Sequence, residues 1–159
     1  MLRQIFKHIS KLFSLLVLTS LLACTNQSEP ALQQSVTAPN KPVNYQRWYT
    51  TQQVEQGQAL YTQYCQACHL ANAKGTQSWK KRLEDGSFPP PPLNGTAHAW
   101  HHSLEVLMRV IHQGGIPMGG RMPAFGETLS DDEKRAVIAY FQSFWPDEIY
   151  QKWAQMNAR

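Results

Sequence analysis

The chain predicts an all-α domain of three main helices, a short C-terminal helix and long loops. Apolar residues recur at helical spacing in several separate stretches, and two of those stretches open on clear N-cap signals. No stretch alternates apolar and polar residues as a half-buried strand would.

Residues 1–23 are read as an export signal. Arg3, Lys7 and Lys11 precede an apolar run, residues 12–22, that is too short to span a bilayer. The run closes on Leu21-Leu22-Ala23-Cys24, which resembles the lipobox of bacterial lipoproteins. The resemblance implies cleavage before Cys24, a diacylglycerol thioether on its sulfur and an acyl chain on its amine, and several chains anchor stably where one is marginal. The alternative is an ordinary secretory signal. The expected location is the cell envelope, on a bacterial membrane facing the periplasm or the exterior. Thr25, where many inner-membrane lipoproteins carry aspartate, favours the outer membrane.

Residues 24–48 are expected to be the lipidated cysteine and a tether, since 25–44 are rich in Gln, Ser, Asn, Thr and Pro. Twenty such residues reach roughly 25 Å. The remaining residues, 49–159, suit one domain whose core is marginal unless a large apolar group supplements it. Without Arg3, Lys7 and Lys11, the 15 basic residues fall to 12 against 11 acidic ones. That balance points to no nucleic-acid partner.

The first helix is predicted over residues 51–65, where Val54, Leu60, Tyr61 and Tyr64 fall near helical spacing around Gly57. The second runs from Leu104 to His112 behind Ser103 as N-cap, with Leu104, Leu107, Val110 and Ile111 on one face and Gly114-Gly115 as its stop. The third opens on the capping box Ser130-Asp131-Asp132-Glu133, carries Val137, Tyr140, Phe141 and Phe144 at i, i+3, i+4, i+7, and stops at Pro146. Asp147 and Glu148 then lead a short amphipathic helix with Ile149, Tyr150, Trp153 and Met156. Pro/Gly-rich loops, residues 88–95 and 114–126, lie between helices.

The first helix delivers the chain into Cys65-Gln66-Ala67-Cys68-His69, the Cys-x-x-Cys-His form of c-type haem attachment. Two thiols three apart on a helical turn meet the two vinyl-bearing edges of one haem, and the next histidine is brought under the iron. A redox Cys-x-x-Cys would need a preceding strand, and the upstream pattern is helical. All three cysteines are then used, one for lipid and two for one covalent haem c.

Together these features resemble the single-haem class I cytochrome c family: a helix into Cys-x-x-Cys-His, loops, a methionine loop and a C-terminal helix, over residues 51–145. The resemblance implies that Met122, in Met122-Pro123-Ala124-Phe125-Gly126, is the second axial ligand to iron, with Met118 as its rival. It implies that Pro91, in Pro91-Pro92-Leu93-Asn94-Gly95, offers its carbonyl to the proximal histidine His69, setting its tautomer and donor strength. It also implies that the first and last family helices cross, pairing Gly57 and Tyr61 with Tyr140 and Phe141.

His98, His101 and His102 depart from the family pattern. On a helical turn His98 and His102 would share a face able to hold copper or zinc, although histidines near a haem more often cap helices, bond propionates or face solvent. The basic run Lys80-Lys81-Arg82 reads as a solvated turn that could steer an acidic partner.

The expected function is single-electron transfer by a His/Met-ligated haem, between redox proteins acting as donor and acceptor, without chemistry on a substrate. The rivals are a gas-binding or catalytic haem protein, which needs an open sixth position, and a copper-handling lipoprotein using the histidine cluster. The domain could also serve as the electron-entry subunit of a larger oxidase or reductase, with an exposed aromatic tail around Trp153 as docking surface.

Overall fold

The structure is a computed structural model that describes residues 46–158. The signal segment, Cys24 and the tether as far as residue 45 lie outside the described residues. Among those described there are five α-helices and no strand: α1 (Thr51–Tyr64), α2 (Gln66–His69), α3 (Leu104–Gln113), α4 (Asp131–Ser143) and α5 (Asp147–Asn157).

Three of the helices, α1, α3 and α4, start where a side chain satisfies their first free N–H groups. The Thr50 hydroxyl accepts from Gln53 N while the Gln53 side chain takes the Thr50 N–H, a reciprocal cap repeated by Ser130 and Glu133 at α4. Ser103 accepts from Val106 N at the start of α3, which ends on Gly114 at φ 79°. Pro146 precedes α5, whose first turn carries Asp147 and Glu148 against the positive end of the helix dipole.

The core forms where α1 crosses α4. Gly57 lies so close to α4 that a Cβ there would overlap the Ala136 carbonyl and come within 2.9 Å of Tyr140 Cβ. One turn on, the rings of Tyr61 and Tyr140 sit 5.0 Å apart. Val137, Ile138, Phe141 and Trp145 continue the buried face, and Leu107 and Ile111 bring α3 against it.

Two departures from the sequence reading concern the ends of the domain. Trp153 is not an exposed docking residue: it is 4% exposed, its indole donates to the His102 carbonyl at 2.8 Å, and its ring packs edge-on to Trp145. The apolar face of α5 closes over the 3-10 turn Ala99–His101. Residues 46–48, at the predicted end of the tether, are bonded to the domain. Arg47 donates to the carbonyls of Gln142 and Trp145 and lies 4.0 Å over the Tyr150 ring. Trp48 donates its indole N–H to Gln142 Oε1 at 2.7 Å and its backbone N–H to Tyr150 Oη at 2.9 Å.

Candidate functional site

Cys65, Cys68 and His69 stand at the junction where α1 gives way to the single turn α2. Cys65 caps the end of α1, and its carbonyl accepts from His69 N at 2.8 Å, closing one helical turn across the motif. Cys65 is half-buried and Cys68 exposed. Burial, with Cys68 beside it, pushes the unmodified Cys65 thiol up to about 11.

His69 is 8% exposed. Its Nδ1 lies 3.0 Å from the Pro91 carbonyl, which can only accept, so the proton resides on Nδ1 and the Nε2 lone pair is uncommitted. Burial holds this imidazole below the usual histidine range, against the opposing pull of the Pro91 bond. A buried neutral ring with one nitrogen tied to a carbonyl is the arrangement expected of a metal-binding histidine.

After His69 the backbone turns sharply. Leu70, Asn72 and Ala73 have φ of 60°, 56° and 55°, a conformation costly for side chains other than glycine. Long-range bonds hold them there: Tyr61 Oη donates to the Leu70 carbonyl at 3.0 Å, and Leu93 N donates to the Ala73 carbonyl at 2.8 Å. Tyr61 is therefore more than the packing residue the sequence implied. No spacing signal could have found its hydroxyl bond, which depends on the turn that follows the motif.

The methionine loop approaches the end of α3. Gly115 N donates to the Met122 carbonyl at 2.9 Å and Phe125 N to the Ile111 carbonyl at 3.0 Å. Phe125 meets Tyr64, the residue before Cys65, with ring centroids 6.2 Å apart. The loop is thus fastened beside the Cys-x-x-Cys-His turn. Met122 is partly buried against the core, whereas its rival Met118 is 59% exposed at the tip of the 3-10 turn Ile116–Met118.

These residues fit a covalently attached haem. The two sulfurs are available at helical spacing, His69 has a free Nε2, and Tyr64, Met108, Met122 and Phe125 are apolar side chains left only partly covered by protein. A flat apolar group would complete their burial.

The three histidines do not converge on one point, although His98 and His102 are brought together. Ala99–His101 is a 3-10 turn and His102 is extended at φ −100°, ψ 139°, so the i, i+4 helical face is not formed. His98 stacks on Trp79 at 4.6 Å and meets His102 edge-on at 5.4 Å, while His101 stacks on Trp100 at 3.7 Å. Among the described residues no group of three His, Cys, Asp or Glu side chains is placed to hold a metal ion.

A family model described as cytochrome C oxidase, cbb3-type, subunit III matches residues 52–141, from the start of α1 to Phe141 in α4. No curated protein and no solved structure matches the chain. The matched span contains the Cys-x-x-Cys-His turn, Pro91, the methionine loop and the α1–α4 crossing, over more than half the sequence. The chain therefore belongs to the cbb3-type cytochrome c oxidase subunit III family of single-haem cytochrome c domains, which carry a covalent c-type haem and act by haem-based electron transfer.

Proposed function

We propose that this protein is a single-electron carrier held at a membrane by lipid on Cys24. In this reading Cys65 and Cys68 would form the thioethers and His69 and Met122 would hold the iron. The observation that carries it is the 3.0 Å contact between His69 Nδ1 and the Pro91 carbonyl, which aims a buried, neutral imidazole with only Nε2 free. When bound, the haem iron supplies a one-electron couple.

The protein's part is to keep that couple closed and well insulated. The Pro91 bond strengthens His69 as a donor. Met122, a soft neutral thioether, favours ferrous iron and raises the potential over a second histidine. Its half-buried place beside Phe125 supports it over exposed Met118. Held by both His69 and Met122, the iron would offer no open site for a gas or substrate. The family name points to an oxidase as the assembly in which donor and acceptor would be met. A location on the periplasmic or outer face, with the outer membrane favoured, follows from the lipobox reading of residues 21–24.

Optical spectra of the haem-loaded protein test the ligation. The near-infrared band of a methionine-sulfur to ferric-iron bond is expected in the parent and in Met118→Ala, and absent in Met122→Ala. A parent without the band that binds carbon monoxide readily would overturn the closed-carrier reading. The anchor is tested separately: Cys24→Ser should move the protein from the membrane to the soluble fraction, and retention in the membrane would overturn lipidation there.

A further inference from the structure

The proximal hydrogen bond needs its acceptor held still, and the segment that supplies the acceptor cannot do so itself. Residues 89–92 are four consecutive prolines with no backbone N–H, so none of them can donate a bond to fix the orientation of the Pro91 peptide. The bonds that hold this stretch come from outside it. Thr76 N donates to the Pro90 carbonyl at 2.8 Å, and Leu93 N donates to the Ala73 carbonyl at 2.8 Å. The Pro91 carbonyl lies between these two rungs.

Gly75 sits between the same rungs on the opposing strand of chain. Its φ is +53°, and a Cβ at this position would overlap the carbonyl carbon and oxygen of Pro91 and the nitrogen of Pro92. Its own N–H donates to the backbone carbonyl of His69 at 2.7 Å. One residue thus touches both partners of the Nδ1–carbonyl bond: it ties down the backbone of the donor and forms the floor beneath the acceptor.

We infer that Gly75 is a positioning residue for the axial histidine, setting the strength of the His69–Pro91 bond and so the reduction potential. The inference rests on the reading of His69 as an iron ligand. Any side chain at position 75 must push the Pro91–Pro92 peptide aside. A stiff proline segment moves as a unit, so the acceptor leaves Nδ1 and the imidazole becomes a weaker donor. A weaker donor stabilises ferric iron less. Each tenfold loss of preference for ferric over ferrous iron is about 59 mV upward.

The experiment compares haem-loaded parent, Gly75→Ala, Gly75→Asn and Gly86→Ala. Gly86 is the control, since its φ is +81° and a Cβ there meets nothing within 4 Å. Asparagine tolerates positive φ but still carries a Cβ, so it separates contact from backbone strain. The readouts are the potential, by spectroelectrochemical titration, and exchange of the His69 ring N–H, by NMR of the reduced protein. Both Gly75 variants should raise the potential and speed ring N–H exchange, with Gly86→Ala unchanged. A shift in Gly75→Ala alone would mean backbone strain and overturn the proposal, as would no shift in either variant.

The parent provides a test that survives poor folding of the variants. The Gly75 amide and the His69 ring N–H should open together, with matching protection. A Gly75 amide exchanging freely beside a protected ring N–H would overturn the proposal. Hyperfine-shifted His69 signals in the oxidised parent show that the axial assignment stands when the Gly75 inference fails. Their absence removes both.

Discussion

Gly57→Ala sets two well-measured effects against each other. On helix propensity alone, alanine in the interior of α1 should stabilise by about 1 kcal/mol over glycine. The crossing with α4 opposes this, because the new Cβ would lie 2.5 Å from the Ala136 carbonyl carbon and 2.9 Å from Tyr140 Cβ. The closest obstacles are backbone, which no rotamer change can move. The Ala136 carbonyl oxygen lies nearer still, so restoring ordinary contacts requires the helices to part by more than about 1 Å. Overpacking of this kind costs up to about 3 kcal/mol, and loosening the Tyr61–Tyr140 pair, now at 5.0 Å, costs about 1 kcal/mol more. Set against the propensity gain, the net loss is about 3 kcal/mol, or about 12 °C in the melting midpoint of a domain this size. Thermal unfolding of the haem-loaded protein, followed by far-ultraviolet circular dichroism, measures it. Gln58→Ala, at the next and exposed position of α1, should stay within about 0.5 kcal/mol of the parent. A Gly57→Ala protein that melts at or above the parent would refute the close crossing.

Three further outcomes follow from the structure. Arg47→Ala should cost about 2 kcal/mol of stability, read as a lower urea midpoint, through the carbonyl bonds and the Tyr150 stack. Arg47→Lys should recover little of it, because an ammonium lacks the planar fork. Asp147→Ala should change little, since that carboxylate is 84% exposed. Glu133, held below the usual glutamate range by the Ser130 backbone N–H and hydroxyl, contributes stability that is present above its ordinary value of 4.5 and lost as pH falls through its depressed folded value. Glu133→Gln should therefore be less stable than the parent near neutrality, and the two denaturation curves should converge in acid. Nearer the haem, Tyr61→Phe should loosen the strained Leu70 turn by removing the bond to its carbonyl, at a cost of about 1 kcal/mol. Hydrogen exchange of the amides of residues 70–75 would show it.

What could be read from the sequence was what depends on neighbours in the chain. The capping box at Ser130, the Cys-x-x-Cys-His turn and the apolar face of α4 are local patterns, and each folds as its spacing implies; the matching box at Thr50 and Gln53 is equally local but was not read from the sequence. Gly57 was legible because a glycine inside a helical pattern signals a close approach. Gly75 carried no such signal, since what makes it special is a proline peptide 16 positions away. The burial of Trp153 was hidden for a related reason: an amphipathic pattern predicts the helix but not what covers its apolar side. The histidine cluster was judged on helical geometry, and the 3-10 turn before an extended His102 removed that geometry.

The clasp formed by Arg47 and Trp48 also determines how the domain bears load. Tension on the chain ahead of Gln46 meets Arg47 and Trp48 first, and through them the carbonyls of Gln142 and Trp145 and the hydroxyl of Tyr150. The C-terminal end of the molecule takes the pull, and the first turn of α1, which leads to Cys65, is shielded from it. Pull arriving from that side would in this way leave the Cys-x-x-Cys-His turn mechanically quiet, with the strain taken up at the far end of α4 and the start of α5.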